Sequence, residues 1–218
     1  MKNGDTETMR EHLERELAKA AARLATRGLF DPLADTISMR WPGRREMIWV
    51  GTAEVEPRVA FLDSETGDPG LHAALYRARE DAGAALLGAT AWSAHLETLG
   101  VSPPVLFDEQ ARHIGEVASP VATGDTVGLV RALARGSNAA VCGGRRVCLG
   151  TTRERMVGNA EVFEKCALAF VVARATGQRL AIIPWWVRLI AGRRLRRDQR
   201  RAAEHFALGR IPEDTRAY

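Results

Sequence analysis

The stretch GLHAALYRAREDAGAALLGATAWSAHLETLG, from Gly70 to Gly100, constrains the fold more than any other part of the chain. Leu71 and Leu75 stand four apart beside Tyr76, the run from Ala82 to Ala91 holds no charge, and Trp92, Leu96 and Leu99 return to helical spacing before Gly100. In order, this predicts a helix, a buried strand and a second helix. Ligands in α/β folds gather beyond the carboxyl ends of strands. Here that end carries Leu87, Gly88 and Ala89, none with a side chain able to bind or react.

The rest of the chain supplies elements to pack around this unit. After a flexible polar lead over 1–7, a helix is expected from about Thr8 to Thr26, with Met9, Leu13, Leu17, Ala21 and Leu24 as its apolar stripe. The loop GLFDPLADTISMRWPGRR ends in a short strand, Thr36 to Arg40, and Met47 to Val50 and Arg58 to Leu62 read as strands separated by TAEVEP. Asp68 is placed to cap the helix that contains His72. VSPPVLFDEQARHIGEVASP is irregular, and a helix from about Asp125 to Arg135 follows, with Val127, Val130, Leu133 and Ala134 inward. Asn138 to Cys142 and Arg146 to Leu149 flank Gly143 and Gly144 as a tight hairpin, with Arg145 exposed at its tip. Helical spacing resumes from Arg153 to Thr176, and Pro184 opens a last segment that begins Trp185, Trp186.

Composition narrows the class. With 218 residues, 46% hydrophobic and 27% charged, the chain is long enough to bury a large core. No window approaches the roughly 18 apolar residues of a membrane span, and the N-terminus is too polar for a signal peptide, so a cytoplasmic protein is expected. Cys142, Cys148 and Cys166 lie in apolar segments without metal-binding spacing and read as buried thiols. Seven arginines between Arg188 and Arg201 face a single acid, Asp198.

The order of these segments resembles the class II aldolase and adducin family: GL followed by ISMR, then HAALYRARED, an apolar strand, SPP, the hairpin NAAVCGGRRVCLG, and a long helix with FEKCALAF. The resemblance spans about Leu17 to Gly177. It implies a three-layer α/β/α domain over 8–177, with a central mixed, largely antiparallel sheet and helices on both faces. The extension over 178–218 is then basic, helical and packed on a neighbouring subunit.

The resemblance also locates what is altered. Enzymes of that family hold a divalent metal, usually zinc, with three histidines, and the matching positions here are Leu87, Ala89 and Gly144. The acid that serves as metal ligand or base in the aldolases corresponds to Asp68, the one catalytic candidate, and a lone carboxylate does not hold zinc. At the sugar-phosphate site, Asp35 and Thr36 replace Gly-Asn, and Thr66 and Gly67 replace Ser-Ser. A proton-donating tyrosine corresponds to Phe107. Thr36, Ser38, Arg40, Thr66 and Arg145 remain as candidates for binding a small anionic ligand, with no metal and no cofactor expected.

Three functions follow as expectations. The first is a non-catalytic or divergent member with a binding or assembly role, a homo-oligomer and, by resemblance, a tetramer. The second is a metal-independent lyase or epimerase acting on a small carbonyl, sugar-phosphate or hydroxy-acid substrate. The third is binding of nucleic acid or an anionic membrane surface through Arg193 to Arg201.

Overall fold

A computed structural model describes residues 3–51 and 56–213. In chain order the elements are α1 (Asn3–Thr26), β1 (Thr36–Arg40), β2 (Glu46–Val50), β3 (Arg58–Phe61), α2 (Gly67–Ala78), β4 (Ala84–Ala89), α3 (Ala91–Leu99), α4 (Thr126–Ala134), β5 (Ala139–Cys142), β6 (Arg145–Gly150), α5 (Arg153–Thr176) and α6 (Trp185–Ala207). The six strands form one sheet in the order β3-β2-β1-β4-β6-β5. Every neighbouring pair is antiparallel, and the one parallel feature is an isolated bridge between Val121 and Cys142. The sheet is thus largely antiparallel, as the resemblance implies, and antiparallel throughout its named strands.

Alternation along these strands feeds two cores. On one face, Ile37, Met39, Leu86, Val141 and Cys148 pack against α1 and α5 through Leu13, Leu17, Leu24, Phe163 and Ala167. On the other, Ala85, Leu87, Ala140, Val147 and Leu149 pack against α2 and α4 through Leu75, Tyr76, Leu129 and Leu133. β4 lies between β1 and β6, so the helix, strand and helix unit is the middle of the molecule. Its strand is buried from Ala84 to Gly88 because both faces are covered.

Several expectations are corrected. α1 starts at Asn3, so 3–7 belong to the helix. The irregular segment before α4 contains a π-helical turn, Gln110–Ile114, whose Gln110 side chain accepts from the Leu106 N–H at 2.9 Å. α4 buries Leu129 and Leu133, while Val127 and Ala134 face solvent. A short helix capped by Asp125 buries only the stripe that meets α2, so Leu133 is inward as expected and Leu129, not Val127, completes the stripe. Of the turn read as TAEVEP, 52–55 lie outside the described residues, as do 214–218 of the extension.

α6 packs on its own chain. Leu195, Gln199, Ala202 and Phe206 are its buried residues. Gln199 donates to the Gly136 carbonyl at 2.9 Å and to Asn138 Oδ1 at 3.1 Å. Asn138 Oδ1 also accepts from Arg79, itself held in a buried bidentate pair with Asp81 at 2.8 and 2.7 Å. The extension is thus an integral layer of the domain, fastened by a satisfied polar network. Among the described residues, no helix is long and apolar enough to cross a membrane.

Candidate functional site

The carboxyl end of β4 meets the start of β6 and the first turn of α2. Gly143 and Gly144 have φ of 58° and 73°, the left-handed pair that a two-residue hairpin requires. Arg145 is therefore the first residue of β6, paired with Cys142 and Ala89, instead of the exposed tip expected from the sequence. Its side chain crosses the strand end and binds Asp68 with two bonds, Nη1 to Oδ1 at 2.9 Å and Nη2 to Oδ2 at 3.1 Å. Nη2 also lies 3.4 Å from Thr36 Oγ1 and 3.5 Å from the Leu87 carbonyl.

Asp68 is consequently not the helix cap. Thr66 holds the N-cap position, exposed and without a side-chain capping bond, and Asp68 turns inward because Arg145 offers a better partner than a backbone amide. Burial pushes the Asp68 carboxyl up, but the Arg145 guanidinium outweighs it and holds the group below its usual value.

Beneath this pair lies a chain of buried polar groups. Thr36 Oγ1 is 2.9 Å from His72 Nε2, Ser38 Oγ is 2.7 Å from His72 Nδ1, and Ser38 Oγ is 2.8 Å from the Tyr76 hydroxyl. One ring nitrogen donates and the other accepts, so the neutral imidazole satisfies both hydroxyls. Burial lowers the His72 pKa to about 3 and raises the Tyr76 phenol. Ser38 and His72 are fully buried. Their contact is a structural tie between β1 and α2, not a nucleophile and base open to substrate.

Asp35, unlike half-buried Asp68, is a fully buried carboxylate. Its Oδ1 accepts from the Ala89 N–H and its Oδ2 from the Asp31 N–H, each at 3.0 Å, and burial raises its pKa. It fastens the loop before β1 to the end of β4. A Cβ at Gly88 would stand 2.6 Å from Asp35 Oδ2, so the glycine is the space this carboxylate occupies. On the opposite face, fully buried Arg146 pairs with Glu164 at 3.4 Å and donates to the Leu29 carbonyl. Glu164 also accepts from Thr90 at 2.9 Å.

The structure thus brings together Asp68, Arg145 and Thr36, with Ser38 one layer below. Arg40 is elsewhere: it donates to the carbonyls of Tyr76, Arg79 and Glu80 and lies over the Tyr76 and Phe206 rings at 5.2 and 5.4 Å. Four residues along β1 separate it from Thr36 by ~13 Å. Phe107 borders an apolar hollow with Leu168 and Val172, and Lys165 Nζ stands 4.5 Å from its ring centre. Sequence reading missed Glu164 and Arg146. Their only signal was a charge in an apolar strand and another within a helix.

A divalent metal does not fit this end of the sheet. Leu87, Ala89 and Gly144 contribute no donor, Asp68 is engaged by Arg145, and both His72 nitrogens are engaged by hydroxyls. Among the described residues, no group of three or more His, Cys, Asp or Glu side chains is placed to hold a metal ion.

No family model matches the chain. No curated protein matches it either. Solved structures do. L-fuculose 1-phosphate aldolase superposes with a TM-score of 0.72 at 16% identity, covering 85% of this chain and 96% of that one. YgbL from Escherichia coli, a candidate aldolase/epimerase/decarboxylase, gives 0.70 at 18% identity over 83% and 98%. An aldolase II superfamily protein from Pseudomonas syringae gives 0.63 at 15% identity over 85% and 84%. The chain has the class II aldolase fold.

Proposed function

We propose that this chain uses the class II aldolase fold for binding or assembly and not for metal-dependent carbon–carbon bond chemistry. The observation that carries the reading is the bidentate pair between Arg145 and Asp68 across the end of β4. A fixed guanidinium there supplies the positive charge that a metal would otherwise bring, and the acid that could act as ligand or base is its counter-ion. With no donor at Leu87, Ala89 or Gly144, the protein works without zinc or another cofactor. A small anion that reaches this end of the sheet would meet Arg145, with Thr36 buried behind it.

The assembly side of the proposal is a homo-oligomer, a tetramer by resemblance, in the cytoplasm. It is supported by apolar residues left in solvent near the start of α6: Ile182, Trp185, Trp186, Leu189 and Ile190. Buried free thiols at Cys142, Cys148 and Cys166 suit a reducing compartment.

The test combines elemental analysis with a thermal-shift screen of sugar phosphates and hydroxy acids, on the natural protein and on Arg145→Ala. The reading expects substoichiometric metal, no aldol cleavage, and any anion-induced stabilisation lost in the variant. Stoichiometric zinc with turnover of a sugar phosphate would overturn it.

A further inference from the structure

A concave site lies away from the carboxyl end of β4, between α6, the turn from α2 to β4 and the end of α4. This cavity of about 770 Å³ is walled by Arg193, Arg196, Arg197 and Arg200 from α6, with Arg77 and Arg135 facing them. All six side chains are exposed and none forms an ion pair among the described residues, although Arg77 is tied through Nη1 to the Leu62 and Ser64 carbonyls. Several arginines elsewhere are matched with acids: Arg112 has Asp198, Arg145 has Asp68 and Arg188 has Glu116. The single acid within the arginine run, Asp198, turns away to Arg112 at 2.8 Å. Of the two acids on the cavity wall, Asp81 is spent on Arg79, which leaves Glu80.

A concavity with this surplus of like charge is held open by scaffold packing, through Gln199, Asn138 and the Arg79–Asp81 pair. Its cations repel one another until an anion enters. The dimensions define that anion. Arg193 to Arg200 spans seven residues of helix, a rise of ~10 Å, longer than one phosphate group. The volume is that of a small-molecule site. The wall contains no aromatic ring, so nothing there stacks on a base. From these features we infer that the groove binds a small anion bearing two or more linked phosphates, recognised through its phosphate oxygens by guanidinium pairs.

This inference is independent of the role assigned to the β4 cleft, and its test leaves Arg145 intact. Inorganic triphosphate is titrated calorimetrically into the full-length protein at several salt concentrations, with orthophosphate in parallel. The expected result is saturable 1:1 binding that weakens steeply with salt, at least about tenfold tighter than orthophosphate. The variant Arg193→Gln/Arg197→Gln/Arg200→Gln should lose about 100-fold or more in affinity, and Arg135→Gln, on the opposite wall, about tenfold. Arg131→Gln and Arg201→Gln, outside the wall, should bind as the natural protein does. Equal weak binding of triphosphate and orthophosphate, or unchanged affinity in both the triple and Arg135 variants, would overturn the proposal. So would saturable binding only of single-stranded oligonucleotide, or only of phosphatidylserine vesicles.

Discussion

The end of β4 and the outer face of α6 treat the same side chain in opposite ways. At β4, Arg145 and Arg146 are each committed to a carboxylate and to a carbonyl or hydroxyl. Along α6, Arg193, Arg197 and Arg200 project from the surface without a counter-ion among the described residues. A committed charge organises structure, because removing either partner strands the other away from water. An uncommitted charge costs the fold little and remains available to a ligand. The difference teaches that the end of β4, the middle of the fold, is the part whose charges already have counter-ions.

The sharpest way to break this contrast is Arg146→Ala. It leaves Glu164, mostly shielded from water, without its counter-ion and opens a void under β6, and should cost about 3 kcal/mol in chemical denaturation. A loss below about 1 kcal/mol would mean that this charge is as free as those of α6.

Acid should find the cleft next. The His72 pKa is depressed to about 3 by burial, so below the unfolded value of about 6.5 the unfolded chain holds the extra proton. Stability should therefore be flat above that value and fall by about 2 kcal/mol on reaching pH 5, measured by urea unfolding across the range. His72→Gln should make that limb shallower without abolishing it, because burial also depresses His113, to about 4.

A smaller effect is expected for Asp68→Asn. The pair is about one quarter exposed on each side, so its loss should cost about 1 kcal/mol. Asp68 is held below its ordinary pKa, so its contribution is present above about pH 4 and disappears as acid passes through the depressed value. In the variant only the lower part of the acid limb should change.

The smallest effect belongs to α6. Replacing Arg193, Arg197 and Arg200 with Gln should move folding stability by no more than about 0.5 kcal/mol, because nothing in the fold depends on them. A loss of several kcal/mol would show that they are structural after all.

How much of this was legible in the sequence follows from the same physics. The unit around β4 could be read because its signals are local: charge-free Ala82 to Ala91, Gly100 at the stop, Leu71 and Leu75 at helical spacing. The hairpin was visible in Gly143 and Gly144. What stayed hidden was nonlocal. Arg145 meets Asp68 across 77 positions, and Arg146 meets Leu29 across 117. No periodicity carries such information. Arg40 was misplaced for a related reason: it shares a strand face with Thr36 and Ser38, and only the tertiary positions of Tyr76 and Phe206 decide that it serves the far end. The cavity beside α6 was invisible because Arg77 and Arg135 come from elements distant in sequence.

The central proposal, that the Arg145–Asp68 pair leaves no metal site at the end of β4, is tested most directly by zinc calorimetry on the natural protein and on Arg145→Ala. The account predicts no stoichiometric, saturable heat for either, since freeing Asp68 restores one ligand and not three. One zinc bound per chain by the natural protein, abolished by Asp68→Asn, would contradict it.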